Sequence, residues 1–190
     1  MDEVGRGCLF GPVVAAAVTV SPAGSQELHR AGVRDSKVLS PAQRQRLVPV
    51  IQSVAITWET ASASVAEIDQ LNILQAALLA MGRAVNALNP APDLCWVDGN
   101  RAIPHLTIPQ ETVIKGDQRS VAIAAASILA KEWRDRQVLD LAKDYPGYDL
   151  ASNKGYGTAK HRDGLKKLGL TPHHRRSFAP CRQILEELGT

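Results

Sequence analysis

Four carboxylates stand where they could hold divalent cations. Asp2 and Glu3 are adjacent at the start of the chain, Asp98 follows the apolar run 94–97, and Asp117 follows the run 106–114 at the mouth of a helix. Each has an ordinary structural explanation: acids near a chain end are usually solvated, Asp98-Gly99 is a turn pair, and a carboxylate ahead of a helix serves as a cap. The set is harder to explain that way. An α/β sheet places its sites beyond strand ends, and four carboxylates gathered there repel one another unless cations hold them. Mg²⁺ and Mn²⁺ are hard cations that suit carboxylate oxygen, and a pair of them about 3.5–4 Å apart is the apparatus of in-line displacement at phosphorus. The expected chemistry is phosphodiester hydrolysis, one ion activating water and the other stabilising the leaving oxygen.

Gly5-Arg6-Gly7 follows the acid pair directly. Two residues without Cβ let a backbone approach a ligand closely with its amides free, and beside the acids that ligand would be the nucleotide being cut. Taken alone, the same three residues would mark only a turn. Charge adds a second hint: the net charge is only +3, yet residues 154–182 hold eight Lys or Arg against one acid, Asp163. Such a stretch suggests a polyanion partner, although a charge run is as often a solvated face. Cys8, Cys95 and Cys181 are odd in number with no C-x-x-C pair, which argues against a disulfide framework or a zinc site and makes them buried small hydrophobes. His161 and His174, set among basic residues, read as surface residues without a catalytic role.

The elements that must position these groups follow from patterning. A chain of 190 residues, 45% hydrophobic and 22% charged, is one soluble globular domain able to bury its own core. Its longest apolar runs, 13–20 and 121–130, fall far short of the ~20 residues that span a bilayer, and no signal peptide is visible, so a cytoplasmic monomer without membrane partners is the default. Strands are expected at 12–20, 54–60, 94–97 and 106–114. Helices are expected at 42–48, capped by Ser40 with Pro41 in the first turn, then at 65–88, 120–143, 158–168 and 179–188. Strands come early and helices late. That order predicts a mixed α/β sheet with helices on its faces, residues 1–145 as catalytic core and 146–190 as a basic helical substrate-binding segment.

Asp2-Glu3-Val4-Gly5-Arg6-Gly7, Gly11-Pro12-Val13-Val14, Asp35-Ser36-Lys37, Asn72-Ile73-Leu74-Gln75-Ala76, Val97-Asp98-Gly99, Lys115-Gly116-Asp117 and the stretch 120–131 together resemble the type 2 ribonuclease H family, specifically bacterial ribonuclease HII. Asn153-Lys154-Gly155-Tyr156-Gly157-Thr158, His161 and His174-Arg175-Arg176-Ser177-Phe178 extend the resemblance over nearly the whole chain. It implies a ribonuclease H-like fold, a central mixed sheet flanked by helices with a helical C-terminal segment. The implied activity is metal-dependent cleavage of the RNA strand in RNA/DNA hybrids and on the 5′ side of single ribonucleotides embedded in duplex DNA, leaving a 3′-hydroxyl and a 5′-phosphate, a task of replication and repair. The family's catalytic, metal-holding carboxylates fall on Asp2, Glu3, Asp98 and Asp117, its glycine-arginine-glycine element on Gly5, Arg6 and Gly7, and its junction-sensing tyrosine on Tyr156.

Residue chemistry agrees. Only the 2′-hydroxyl marks a ribonucleotide in a DNA context, and backbone groups at Gly5 to Gly7 suit it. Tyr156 offers a stacking ring and a phenolic donor, although a tyrosine between glycines is as readily a packing anchor. Lys37, Lys154, Lys160, Arg175 and Arg176 would then be phosphate contacts, each with a solvated-surface alternative. One departure stands out: family members usually carry a strand leading into the acid pair, whereas Met1 directly precedes Asp2 here. The first strand is therefore expected to be nearly absent, which leaves as alternative a catalytically weak protein that binds hybrid without a rigid metal site. A further nuclease or strand transferase on the same fold is the weakest reading, since a DNA-only enzyme needs no 2′-hydroxyl sensor.

Overall fold

In the computed structural model, which describes residues 1–188, the valine- and alanine-rich run becomes the middle strand of an antiparallel trio. Strand β2 (Val13–Thr19) pairs with β1 (Asp2–Val4) on one edge and β3 (Thr57–Ala63) on the other. Side chains alternate across a strand, so Val13, Ala15 and Ala17 enter one apolar layer while Val14 and Ala16 enter the other. The first layer is closed by α4 (Ile73–Asn86) and the second by α6 (Val121–Asp144). Alanine at three positions of β2 lets both helices approach closely, which brings side chains from α6 up to the acid-bearing strand.

A parallel pair, β4 (Cys95–Asp98) and β5 (Gln110–Val113), extends the arrangement. Met1 joins the two sheets: its amino group donates to the Trp96 carbonyl at 2.8 Å and its carbonyl accepts from the Asp98 amide at 3.2 Å. The first strand, expected to be nearly absent, is thus present as three residues hydrogen-bonded on β2 and joined through Met1 to β4. Its ladder places Asp2 opposite Ala16 and Glu3 opposite Ala15.

Several elements differ from the sequence expectation. Helix α1 (Pro22–Arg30) was unexpected, although Ser21 caps it by accepting from the Gly24 amide at 3.0 Å, with proline next, the same signal read at Ser40-Pro41. Helix α2 (Pro41–Val54) runs through Pro49 instead of stopping at 48, because a capping box of Ser40 and Gln43 fixes its start and buried Leu47 and Ile51 hold it across the proline. That extension displaces β3 towards the C-terminus. The expected helix 65–88 breaks into α3 (Val65–Leu71) and α4 at Asn72, whose φ is +75° and whose Oδ1 accepts from the Leu74 and Gln75 amides at 3.0 and 3.1 Å. The run 106–114 contributes only the four residues of β5.

The chain continues through α5 (Gly116–Arg119), α6, α7 (Leu150–Asn153), α8 (Ala159–Leu168) and α9 (Ala179–Leu188). A third apolar cluster, with Leu9, Phe10, Val138, Tyr148, Leu165 and Cys181, packs the C-terminal segment onto the loop after β1. All three cysteines are free and buried, as expected. No described helix is long and apolar enough to cross a membrane.

Candidate active site

Asp2 lies on β1 at 4% exposure, and its Oδ1 accepts from the Glu3 amide at 2.7 Å. Ser127 of α6 offers it a further hydrogen bond, while Glu3 and Asp98 press on it with like charge. Burial first and Glu3 second push the Asp2 carboxyl up to about 7. Glu3 is raised too, chiefly by burial, against the opposing pull of Arg6, whose Nη1 donates to Oε1 at 3.1 Å. The other oxygen, Glu3 Oε2, is buried and has no hydrogen-bond partner.

Asp98 ends β4 and accepts from the Gly116 amide at 2.6 Å through Oδ1. A Cβ on Gly116 would fall 3.0 Å from that oxygen and 2.5 Å from Ile123 Cδ1, so a residue without a side chain is what lets the two segments meet. Asp117, in α5, is 5% exposed and its Oδ2 accepts from Lys37 Nζ at 2.7 Å. Lys37 sits in a short 3₁₀ turn that Asp35 caps at 2.9 Å and that Ser36 ties to Ser127 at 2.8 Å. The Asp117 hydrogen bond raises the Lys37 ammonium above its usual range.

Strand β1, the end of β4 and α5 therefore bring the predicted acids into one neighbourhood. Among the described residues, however, no three His, Cys, Asp or Glu side chains stand as a ready-made metal cage. Asp98 and Asp117 are engaged by an amide and an ammonium, while Asp2 and Glu3, raised chiefly by burial, hold protons more tightly than usual. The donor set, all carboxylate oxygen, nevertheless fits a hard cation, and the unpartnered Glu3 Oε2 is an oxygen such a cation would satisfy.

Beside the acids, Gly5 takes φ +89°, a region that favours glycine, and Arg6 and Gly7 are exposed with open space above Gly7. Tyr156 is 42% exposed and lies across from Cys8 in an isolated antiparallel bridge, with Lys131 Nζ 6.0 Å from its ring. The Leu9 amide donates to the Gly155 carbonyl at 2.8 Å. The loop and the tyrosine turn thus form one surface.

The basic residues divide. Lys37, Lys160 and Arg176 are exposed, and the half-buried Lys154 turns its ammonium onto the Ala151 carbonyl. Arg175 is a correction: expected at the surface against a phosphate, it is fully buried, donating to the Gly11 and Arg6 carbonyls at 3.0 Å each. His161 and His174, expected at the surface, are also buried, their Nε2 atoms 3.1 Å apart. His161 Nδ1 donates to the Tyr156 carbonyl at 2.9 Å, and His174 Nδ1 accepts from the Thr171 amide at 2.9 Å, so His174 Nε2–H donates to His161 Nε2. Arg134 was missed altogether. It is fully buried on α6 between Ala130 and Val138, and its position at four-residue spacing on that apolar stripe was the available signal.

The family model described as Ribonuclease HII matches residues 1–181. Ribonuclease HII of Acaryochloris marina is 59% identical over 185 residues, covering 97% of this chain and 93% of its own. Among solved structures, ribonuclease H2 from Pyrococcus horikoshii superposes with a TM-score of 0.84 at 26% identity, covering 100% of this chain and 97% of its own. Bst-RNase HIII, determined in complex with Mn²⁺, shares the fold with a TM-score of 0.77 at 21% identity, covering 98% of this chain and 68% of its own.

Proposed function

Because the chain belongs to the ribonuclease HII family, endonucleases acting on RNA/DNA hybrids, we propose that it cleaves the RNA strand of such hybrids and cuts on the 5′ side of single ribonucleotides in duplex DNA. The products would be a 3′-hydroxyl and a 5′-phosphate, as ribonucleotide removal in replication and repair requires. Asp2, Glu3, Asp98 and Asp117 would hold two divalent ions, Mg²⁺ or Mn²⁺, whose chemistry when bound is activation of the attacking water and stabilisation of the leaving 3′ oxygen. The observation that carries this reading is the buried, unpartnered Glu3 Oε2 beside Asp2 and Asp98.

The chain's own groups do the rest. Asp2 and Glu3, both raised by burial, would have to be ionised to serve as ligands, so ion binding would compete with protons at this pair. Lys37 holds Asp117 with one N–H and offers the remaining N–H groups of its exposed ammonium to a phosphate. Backbone groups from Gly5 to Gly7 hydrogen-bond the 2′-hydroxyl, and Tyr156 stacks at the junction. Lys154, Lys160 and Arg176 are left for the backbone of the duplex. The reading of the chain as a weak hybrid binder is not favoured, because it rested on an absent first strand, and β1 is present, paired with β2 and tied to β4 through Met1.

Asp98→Asn and Asp117→Asn test the assignment. Each amide keeps the shape and loses the charge, so cleavage of a single-ribonucleotide duplex with Mg²⁺ or Mn²⁺ should be abolished while gel-shift affinity for hybrid stays near the parental value. Cleavage at close to the parental rate by either variant removes that residue from the metal ligands.

A further inference from the structure

Arg134 is a fully buried cation that makes no ion pair among the described residues, and its whole fork is spent on main-chain carbonyls. Nε donates to Pro12 at 3.2 Å, Nη2 to Phe10 at 2.9 Å and Nη1 to Lys154 at 2.8 Å. Two of these carbonyls belong to the loop that continues from Gly5-Arg6-Gly7, and the third to the turn that presents Tyr156. Gly5 rests directly on the guanidinium, which a Cβ there would overlap. On the other side Arg175 holds the same loop by the Arg6 and Gly11 carbonyls. An apolar residue of similar volume would fill this stripe of α6 at less cost in desolvation. What it could not do is fix three carbonyls, from segments at opposite ends of the sequence, around one rigid plane.

We infer that Arg134 is a positioning residue for substrate specificity, setting the spacing between the Gly5–Gly7 loop and Tyr156 so that both engage the same nucleotide. The inference rests on the reading above, in which the loop senses the 2′-hydroxyl and Tyr156 the junction. On an all-RNA hybrid every position offers a 2′-hydroxyl, so slack between the two elements matters little. At a lone ribonucleotide both contacts must fall on one residue, and slack is costly.

The test is the ratio of kcat/KM on a lone-ribonucleotide duplex to that on an all-RNA hybrid, measured for the full chain, Arg134→Lys, Tyr156→Ala and the double variant. Lysine keeps the charge and loses the fork, so the ratio should fall roughly ten- to a hundredfold, the scale of an ångström misplacement. Cleavage of the hybrid should persist. The double variant should be no less selective than Tyr156→Ala, because Arg134 acts through the tyrosine turn. Loss of folded protein lowers both rates together and leaves the ratio unmoved, as Ile51→Ala, a core change in α2, should demonstrate. If Tyr156→Ala lowers the ratio while Arg134→Lys keeps it, or if the two losses multiply, the inference is overturned. If Tyr156→Ala keeps the parental ratio, the junction reading itself fails and the inference with it. Should Arg134→Lys not fold, Gly155→Ala carries the test: its Cβ would fall 2.7 Å from the Phe10 carbonyl and 3.3 Å from Arg134 Nη2, prising turn and loop apart. An unchanged ratio there also overturns the proposal.

Discussion

Gly116 shows how a residue without a side chain serves a charged one. Its amide is the only described donor to Asp98, and its neighbours leave no room for a Cβ. Gly116→Ala should cost about 1–3 kcal/mol in urea unfolding, the usual range for overpacking, and should depress cleavage because Asp98 Oδ1 must move. Tyr156 is tested differently, since its ring and its hydroxyl are separable. Tyr156→Phe removes a donor worth roughly 0.5–1.5 kcal/mol, and Tyr156→Ala should remove a further ~1–3 kcal/mol of stacking. Preference for a lone ribonucleotide should therefore fall in two steps, as read from relative cleavage rates. Equal ratios for all three proteins would leave Tyr156 as a packing anchor.

At the level of elements, the C-terminal segment is a mixture of supports and free charges. Arg175 and Arg176 are adjacent, yet one is buried under the loop and the other exposed. Arg176→Ala should flatten the logarithmic salt dependence of duplex affinity by up to about one unit. Arg175→Ala should instead lower the melting temperature, because it strips the guanidinium from the buried Gly11 carbonyl and from the Arg6 carbonyl. A variant pair that behaved alike would contradict this division. The contrast also marks what the sequence made legible. Helix starts at Ser40-Pro41 and the stop at Gly169 were readable because caps are local chemistry, and the four acids were readable because they sit at strand ends or beside a helix start. The break at Asn72 was hidden, since the apolar period continues on both sides and only a left-handed backbone interrupts it. Burial of Arg175, His161 and His174 was hidden for a stronger reason: their partners are carbonyls, rings and amides supplied by tertiary contact, which no local pattern encodes, whereas Arg134 had the apolar stripe of α6 to mark it.

For the whole molecule, acid is the revealing stress. Burial lowers both histidines of the pair, His174 to about 3 with His161 adding to the effect. The unfolded chain takes up protons near pH 6.5 while the folded one refuses them, so stability from this source is full above 6.5 and declines as pH falls towards 3. Each histidine contributes a slope of at most about 1.4 kcal/mol per pH unit. Asp2 works in the opposite sense, because its folded carboxyl keeps to about 7 a proton that the unfolded one releases near its ordinary value, and Glu3 is shifted the same way. In an Asp2→Asn, Glu3→Gln background that opposition is gone. Urea unfolding free energy should then decrease steadily from pH 6.5 to 5, and a flat profile would mean that the pair titrates normally when folded.

The straps across the loop after β1 also impose an order in time. Leu9 donates to Gly155, Gly11 to His173, and Arg175 to Leu9, so this loop is bonded to residues made much later in synthesis. At synthesis rates of about 5–20 residues per second, the loop waits on the order of ten seconds for its partners to exist. During that interval β1 can already pair with β2, a neighbour in sequence, and the acids on it are in place. The part that would tell a ribonucleotide from a deoxyribonucleotide is not. On the proposed reading, discrimination would be acquired only after that later segment is made, and would be lost first if the segment came loose.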